Sequence, residues 1–221
     1  MQIVSGYSHA PKVHYEAPPA QHLHHEMERF IQWFNQSSPQ GTHPLPALER
    51  ASVAHWYFLA IHPFEDGNGR LARGLVMKSL SQSVGQPLLL AVSKVIESQK
   101  TAYYEALAKH NKSNQLDAWL VYFSKVILEA QAYTHARVEL CLKEVRLLDA
   151  HRTELNKRQT KVLHRLFQAG VEGFEGGLSA KNYMRLTDVS AATATRDLNA
   201  LVSLGILQKT GELKAIRYWL V

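Results

Sequence analysis

The chain of 221 residues holds one cysteine, Cys141, so no disulfide can form within it. A lone thiol fits a reducing cytoplasm, the compartment expected here, and buried filler is its expected role. No uninterrupted apolar run approaches the roughly 18 residues of a membrane span, which argues against a membrane-crossing helix. Residues 1–21 are polar and carry prolines, unlike a secretory leader. There are 12 histidines, but His22, His24 and His25 have no cysteines at zinc spacing, which argues against structural zinc. Acidic residues are the minority, 19 against 25 basic, for a net charge of +6. Residues 151–221 hold 11 of those basic and 6 of those acidic residues, so +5 of the excess lies in the last third. Such asymmetry predicts a second domain with its own partner, nucleic acid among the candidates.

What is present is enough for a packed interior: 46% of the residues are hydrophobic. The length allows one core of about 150 residues and a smaller domain after it. We expect a mainly α chain with domains at 1–150 and 151–221. Residues 2–4 and 12–15 are β-prone and predict a small hairpin. Leu23, Met27, Phe30, Ile31 and Phe34 have helical spacing and predict a helix over about 20–35. Ala47, Ala51, Ala54, Phe58 and Ile61 predict a second that ends at His62. A third runs from residues 67–69 to about Val84, where Gly85-Gln86-Pro87 stops it. Further helices are expected over about 98–110 and 116–149.

After residues 151–156 the pattern shortens. Val162, Leu163, Leu166 and Phe167 predict one helix, 178–186 follows a glycine-rich loop, and a further helix covers about 191–204 with Ser190 as its N-cap. Residues 206–210 and 215–220 flank Gly211-Glu212, a hairpin signature.

The chemistry is concentrated in His62-Pro63-Phe64-Glu65-Asp66-Gly67-Asn68-Gly69-Arg70, followed by Leu71-Ala72-Arg73. A histidine stands where a general base could work, and a hard cation beside phosphate oxygens needs only one or two carboxylates such as Asp66 and Glu65. Gly67 and Gly69 let backbone N–H groups approach a ligand, and the apolar pattern resuming at Leu71 puts them at a helix N-terminus that favours an anion. Arg70 and Arg73, three apart, add fixed positive charge. Singly, each part has an ordinary reading as a turn, a core histidine or a solvated face. Their ordered combination at a helix start describes a phosphoryl- or nucleotidyl-transfer centre.

The same stretch resembles, at every specified position, the motif of the Fic family: His, any, Phe, any, Asp or Glu, Gly, Asn, Gly, Arg, any, any, Arg. The resemblance, which covers about residues 2–149, implies a Fic helical core with a β-hairpin flap and a protein adenylyltransferase activity. It implies that His62 takes the proton from a target hydroxyl attacking the α-phosphorus of ATP; a histidine pKa of about 6.5 suits that task. Asp66 would hold Mg²⁺. Gly67, Asn68 and Gly69 would form the anion hole, with Asn68 reaching the α-phosphate, Arg70 the β- and Arg73 the γ-phosphate. Leu71 and Ala72 would line the same nucleotide site, and Phe64 would be an apolar core anchor. Tyr103, Tyr104 and Asn111 match positions that similar enzymes place against adenine, one of the two tyrosines being core. Val13, His14 and Tyr15, with Lys12, look like the flap strand, which can also pair with an extended target segment. The order helix, helix, helix, two-stranded wing is that of a winged helix-turn-helix, a common companion of this family.

Two departures from the family bear on regulation. Relatives have helices upstream of the flap, so this chain reads as a fragment or an unusually short member. Many relatives also carry a Ser/Thr-x-x-x-Glu-Gly/Asn inhibitory helix, a pattern missing from these 221 residues. Restraint then lies in further sequence or a partner, or the enzyme is constitutively active. The expected partner is a protein with an acceptor Ser, Thr or Tyr hydroxyl, or the chain itself. Within enzymes the alternatives are phosphorylation and removal of AMP; Gly69 stands where the kinase-like branch has lysine. From another class, the alternative is a DNA-binding regulator with a nucleotide-sensing core. The expected recognition helix offers one strong cation, Arg196, in its first turns, which favours docking of a protein or a second copy of the chain over DNA.

Overall fold

The computed structural model describes residues 2–5, 12–110 and 116–221, with side chains from Ala17 onward apart from His110 and Lys214. Two antiparallel strands, β1 (Gln2–Ser5) and β2 (Lys12–Glu16), open it. Helices α1 (Leu23–Gln36), α2 (Ala47–Ile61), α3 (Asn68–Val84), α4 (Val92–Ser98), α5 (Lys100–His110) and α6 (Asp117–Ala150) follow. Then come α7 (Lys157–Gln168), α8 (Ala180–Thr187), α9 (Ala191–Ser203) and the antiparallel pair β3 (Leu207–Thr210) and β4 (Arg217–Leu220). The fold is mainly helical. Among the described residues no helix is long and apolar enough to cross a membrane. Packing divides the chain into two units, Met1–Thr134 and His135–Val221.

In the first unit α2 is the central element. It is buried on nearly all sides, and Ala51 and Ala54 on α2, with Ala72 on α3, have no exposed surface. Small side chains at those points let the two helix backbones approach. One side of the unit is packed by Phe30, Phe34, Phe58 and Ile61, the other by Val76, Val92, Trp119, Phe123 and Ile127. Both clusters converge on the helices that flank residues 62–67.

Arg50 of α2 is 0% exposed, yet its partners are all uncharged. Its Nη2 donates to the Phe34 carbonyl (2.8 Å) and Gln82 Oε1 (2.9 Å), and Nε to Ser37 Oγ (3.2 Å). Nη1 donates to Ser79 O and Oγ (3.4 and 3.3 Å), and the guanidinium lies 4.3 Å from the Phe34 ring centroid. Phe34 and Ser37 belong to the C-terminal end of α1, where the orphan carbonyls and the negative end of the macrodipole favour a cation.

In the second unit each helix starts on a side-chain cap: Asn156 with Gln159 in a capping box, Ser179, and Ser190 as expected. Asp197 of α9 gathers the three helices. It accepts from Arg158 Nε (2.9 Å) and Nη2 (3.2 Å), Tyr183 OH (2.9 Å) and Asn156 Nδ2 (3.2 Å). Burial pushes the Asp197 carboxyl up, but the Arg158 and Tyr183 hydrogen bonds outweigh it and hold the pKa below the ordinary carboxylate range. Leu163, Leu178, Leu198, Leu201 and Tyr183 fill the core beneath.

Three expectations are corrected. The stretch after Gln86 holds an extra helix, α4, and the chain breaks at Gln99 (φ −125°, ψ 38°) before α5. Val92, Val95 and Ile96 supply its buried face, a pattern hidden behind the apolar run Pro87-Leu88-Leu89-Leu90. Cys141 is exposed rather than buried, on a stretch of α6 that also leaves Val138, Leu142 and Val145 open. The strands of the last hairpin are shorter than expected, because residues 213–215 form a 3₁₀ turn between them.

Candidate functional site

Residues 62–73 form a loop between two buried helices, and each part has an identifiable cause. The α2 ladder ends with the His62 N–H on the Phe58 carbonyl (3.1 Å). His62 itself adopts a left-handed conformation (φ 50°, ψ 56°), rare outside glycine and asparagine and common at functional sites. That turn directs the chain away from the helix and leaves the imidazole half-buried, with Nδ1 enclosed and without a hydrogen-bond partner among the described residues. Burial pushes the His62 pKa down; the Leu59 carbonyl pulls it up, although it does not reach hydrogen-bond geometry. The net effect keeps the ring neutral, as a base must be.

The loop re-enters helix through Gly67 at φ 88°, a backbone conformation that a side chain would strain. The first intrahelical bond of α3 is Leu71 N–H to the Gly67 carbonyl (3.0 Å). The N–H groups of Asn68, Gly69 and Arg70 therefore precede the ladder, with neither a side-chain cap nor an acidic residue in the first turn. A Cβ on Gly69 would sit 3.4 Å from Arg73 Nη1, an ordinary contact that places that guanidinium beside the helix start. Arg70 Nη2 pairs with Asp66 Oδ2 at 3.0 Å, both side chains being largely exposed. Such a surface pair contributes on the order of 0–1 kcal/mol and opens easily.

Asn68 is 3% exposed. Its Oδ1 accepts the Phe64 N–H (3.1 Å) and its Nδ2 donates to the Phe64 carbonyl (2.6 Å). Phe64, expected in the core, is instead 49% exposed and reaches only the edge of the interior, 6.5 Å from the Phe58 ring. The two bonds to its backbone hold the residue at the surface of the loop and swing the phenyl outward.

Of the remaining candidates, Ala72 is buried and Leu71 exposed on α3. Tyr103 is the core member of the tyrosine pair, 4% exposed, so its ring offers no open face to a nucleotide base. Tyr104 is open to solvent, its ring 5.3 Å from that of Tyr103. Val13, His14 and Tyr15 lie in β2, where Ile3 pairs with Tyr15 and Val4 with Val13, leaving His14 as the extra residue of a bulge. Asn111 lies outside the described residues.

One residue close to the site had no place in the sequence reading. His55 is fully buried on α2, two turns before His62, with Nε2 2.8 Å from Tyr103 OH and its ring stacked 4.3 Å from Phe123. Burial lowers its pKa to about 3; the Ala72 carbonyl opposes this and the Arg73 charge adds to it. Its spacing of seven from His62 was the available signal.

The donor set suits Mg²⁺ delivered with a nucleotide. Among the described residues no group of three or more His, Cys, Asp or Glu converges. Asp66 offers one accessible carboxylate, which is enough where phosphate oxygens complete the shell.

Comparison with known proteins bears on this stretch. Residues 3–80 match the Fic/DOC family. Protein adenylyltransferase Fic of Drosophila mojavensis is 34% identical over 88 residues, 40% of this chain and 16% of that protein. The same enzyme of Drosophila grimshawi is 34% identical over 88 residues, 40% of this chain and 17% of its own length. The match thus spans about a sixth of those relatives. Among solved structures, a Fic family protein from Desulfovibrio desulfuricans G20 aligns over 97% of this chain and 59% of its own, at 21% identity and a TM-score of 0.48. The matched residues 3–80 hold the loop from His62 to Arg73.

Proposed function

We propose that the chain is a protein adenylyltransferase that transfers AMP from ATP to a Ser, Thr or Tyr hydroxyl of a target protein or of itself. The observation that carries this reading is a neutral, half-buried His62 beside an uncapped helix start flanked by two guanidinium groups. The first-turn N–H groups of Asn68 and Gly69 receive the α-phosphate, and Arg70 and Arg73 receive the β- and γ-phosphates. Arg70 exchanges its pair with Asp66 for the phosphate, which leaves the Asp66 carboxylate as the group that would hold Mg²⁺, and the ion would supply charge neutralisation at the phosphates. With Nδ1 enclosed, Nε2 is the ring nitrogen that accepts the hydroxyl proton. The hydroxyl oxygen then forms a bond to the α-phosphorus, the bond from that phosphorus to the bridging oxygen breaks, and pyrophosphate leaves. Tyr104 and Asn111 contact the base, and β2 pairs with the target backbone as an added strand.

The second unit we read as a winged helix-turn-helix that docks protein, with α9 in the recognition position and β3–β4 as the wing. Incubation with α-labelled ATP and Mg²⁺ should label this protein or a partner, and γ-labelled ATP should not. Label transferred from the γ-position would reassign the chain to phosphorylation.

A further inference from the structure

The geometry points to Asn68 as a positioning residue: its side-chain amide, by clamping both polar groups of Phe64, fixes the loop that carries His62 and Asp66. This rests on the adenylyl-transfer reading for its consequence, though not for its geometry. The two bonds, 3.1 Å to the N–H and 2.6 Å to the carbonyl, close residues 64–68 into a ring at the very start of α3. Among the described residues no other hydrogen bond holds Pro63, Phe64 or Glu65. The nearest ties are the α2 ladder bond at His62, the Asp66 pair with Arg70 on the surface, and the α3 ladder bond at Gly67.

The polarity of the loop is inverted. Its amide side chain is buried, while its phenyl is half in water. Burying a hydrogen-bonded amide in place of an aromatic ring forgoes apolar burial, so stability alone does not account for the arrangement. What it does secure is shape. With Phe64 held, Pro63 has little freedom, and His62 keeps its left-handed turn at the end of α2. Asp66 is kept one residue ahead of the Gly67 turn. The groups that receive phosphate are backbone N–H groups of residues 68–70 and the side chains of Arg70 and Arg73, all of which an alanine at position 68 retains. Asn68 therefore acts on turnover through His62, and only weakly on nucleotide affinity.

The test begins without ligand. By nitrogen-15 NMR of the full chain, the Phe64 amide should exchange with solvent at least about 10²-fold more slowly than an open loop amide, because Asn68 Oδ1 is its partner. Asn68→Ala should abolish that protection while α3 amides beyond Leu71 keep theirs. Asn68→Asp, which retains the acceptor and loses the donor, should keep part of it. In transfer assays Asn68→Ala should lower kcat by about 10²-fold, as a displacement of about 1 Å can, with the Kd for ATP within about threefold of the parent. An unprotected Phe64 amide in the wild-type chain overturns the inference whether or not any variant folds. So does an Asn68→Ala chain in which Phe64 stays protected, or in which ATP affinity falls as far as kcat. Failure of the wild-type chain to transfer AMP overturns the functional reading and leaves the exchange result to judge the clamp.

Discussion

Acid should destabilise the first unit through one buried imidazole, His55. Its ring stacks 4.3 Å from Phe123 and 6.0 Å from Trp119, its Nε2 meets Tyr103 OH at 2.8 Å, and Arg73 adds a like charge against protonation. Burial sets its folded pKa at about 3. The unfolded value is about 6.5, so the unfolded chain binds the proton first. A depressed histidine pKa means that stability is complete above about pH 6.5 and is lost as the pH falls toward the folded value. The linkage relation gives a loss of about 2 kcal/mol by pH 5 and about 4 kcal/mol by pH 3.

Urea titrations at half-unit steps from pH 7.5 to 4 measure this directly. His55→Gln is the control. The glutamine can keep a hydrogen bond to Tyr103 and has no charge to gain. It should be less stable at pH 7, having lost the stack on Phe123, but its stability should change far less between pH 7 and pH 5. His62, also depressed by burial, contributes in the same direction in both proteins and cancels in the comparison. An equal pH slope in the two proteins would refute the assignment of the acid sensitivity to His55.

His62→Ala should lower AMP transfer by about 10²–10⁴-fold, read with α-labelled ATP, while ATP binding by calorimetry stays nearly unchanged. Arg50→Met, similar in length but unable to donate, should cost about 3 kcal/mol in urea unfolding because the Phe34 and Ser79 carbonyls lose their donor; an unchanged midpoint would remove Arg50 from the account of stability. Asp197→Ala should unfold the second unit at lower urea than the parent, since Arg158, Tyr183 and Asn156 all lose an acceptor, and circular dichroism separates that step if the first unit is intact. Titration of the full chain with duplex DNA should give weak retention that fades with salt; sequence-selective retention lost in Arg196→Ala would reverse the preference for protein docking.

The site was legible as a stretch and illegible as a shape. Glycines at 67 and 85 and the spacing of Ala51, Ala54, Phe58 and Ile61 bounded α2 and α3 well, because local chemistry decides caps and periodicity. Phe64 was misjudged because an aromatic in an apolar context is expected inside; its exposure follows from a side chain four residues later, which no propensity records. His55 was missed for the opposite reason. Residues 51–61 are apolar almost throughout, so no polar face marked which positions look toward the site, and the spacing of seven from His62 was the single cue. Helix α4 is short and follows a leucine run, where helix and buried strand read alike. Cys141 was assigned by residue type, whereas its exposure depends on which face of α6 other elements cover.

The positive charge of the second unit does not lie where a reader of base edges needs it. Arg158 is held in two hydrogen bonds by Asp197 and serves the packing of α7 against α9. The exposed side of α9 carries Ala191, Ala192, Thr195, Arg196 and Asn199, and the Thr195 hydroxyl donates back to the Ala191 carbonyl. One guanidinium among small side chains can touch a phosphate but cannot read a sequence. Exposed Lys157, Lys161 and Arg165 instead recur every four residues along one face of α7, and His164 beside them pairs with Glu144 at 2.7 Å. A polyanion would therefore meet α7 before α9, neutralising phosphate without selecting bases, and its affinity would depend on salt alone. The small, nearly uncharged surface of α9 is consistent with the proposed docking of a protein, since small side chains permit close approach of a backbone.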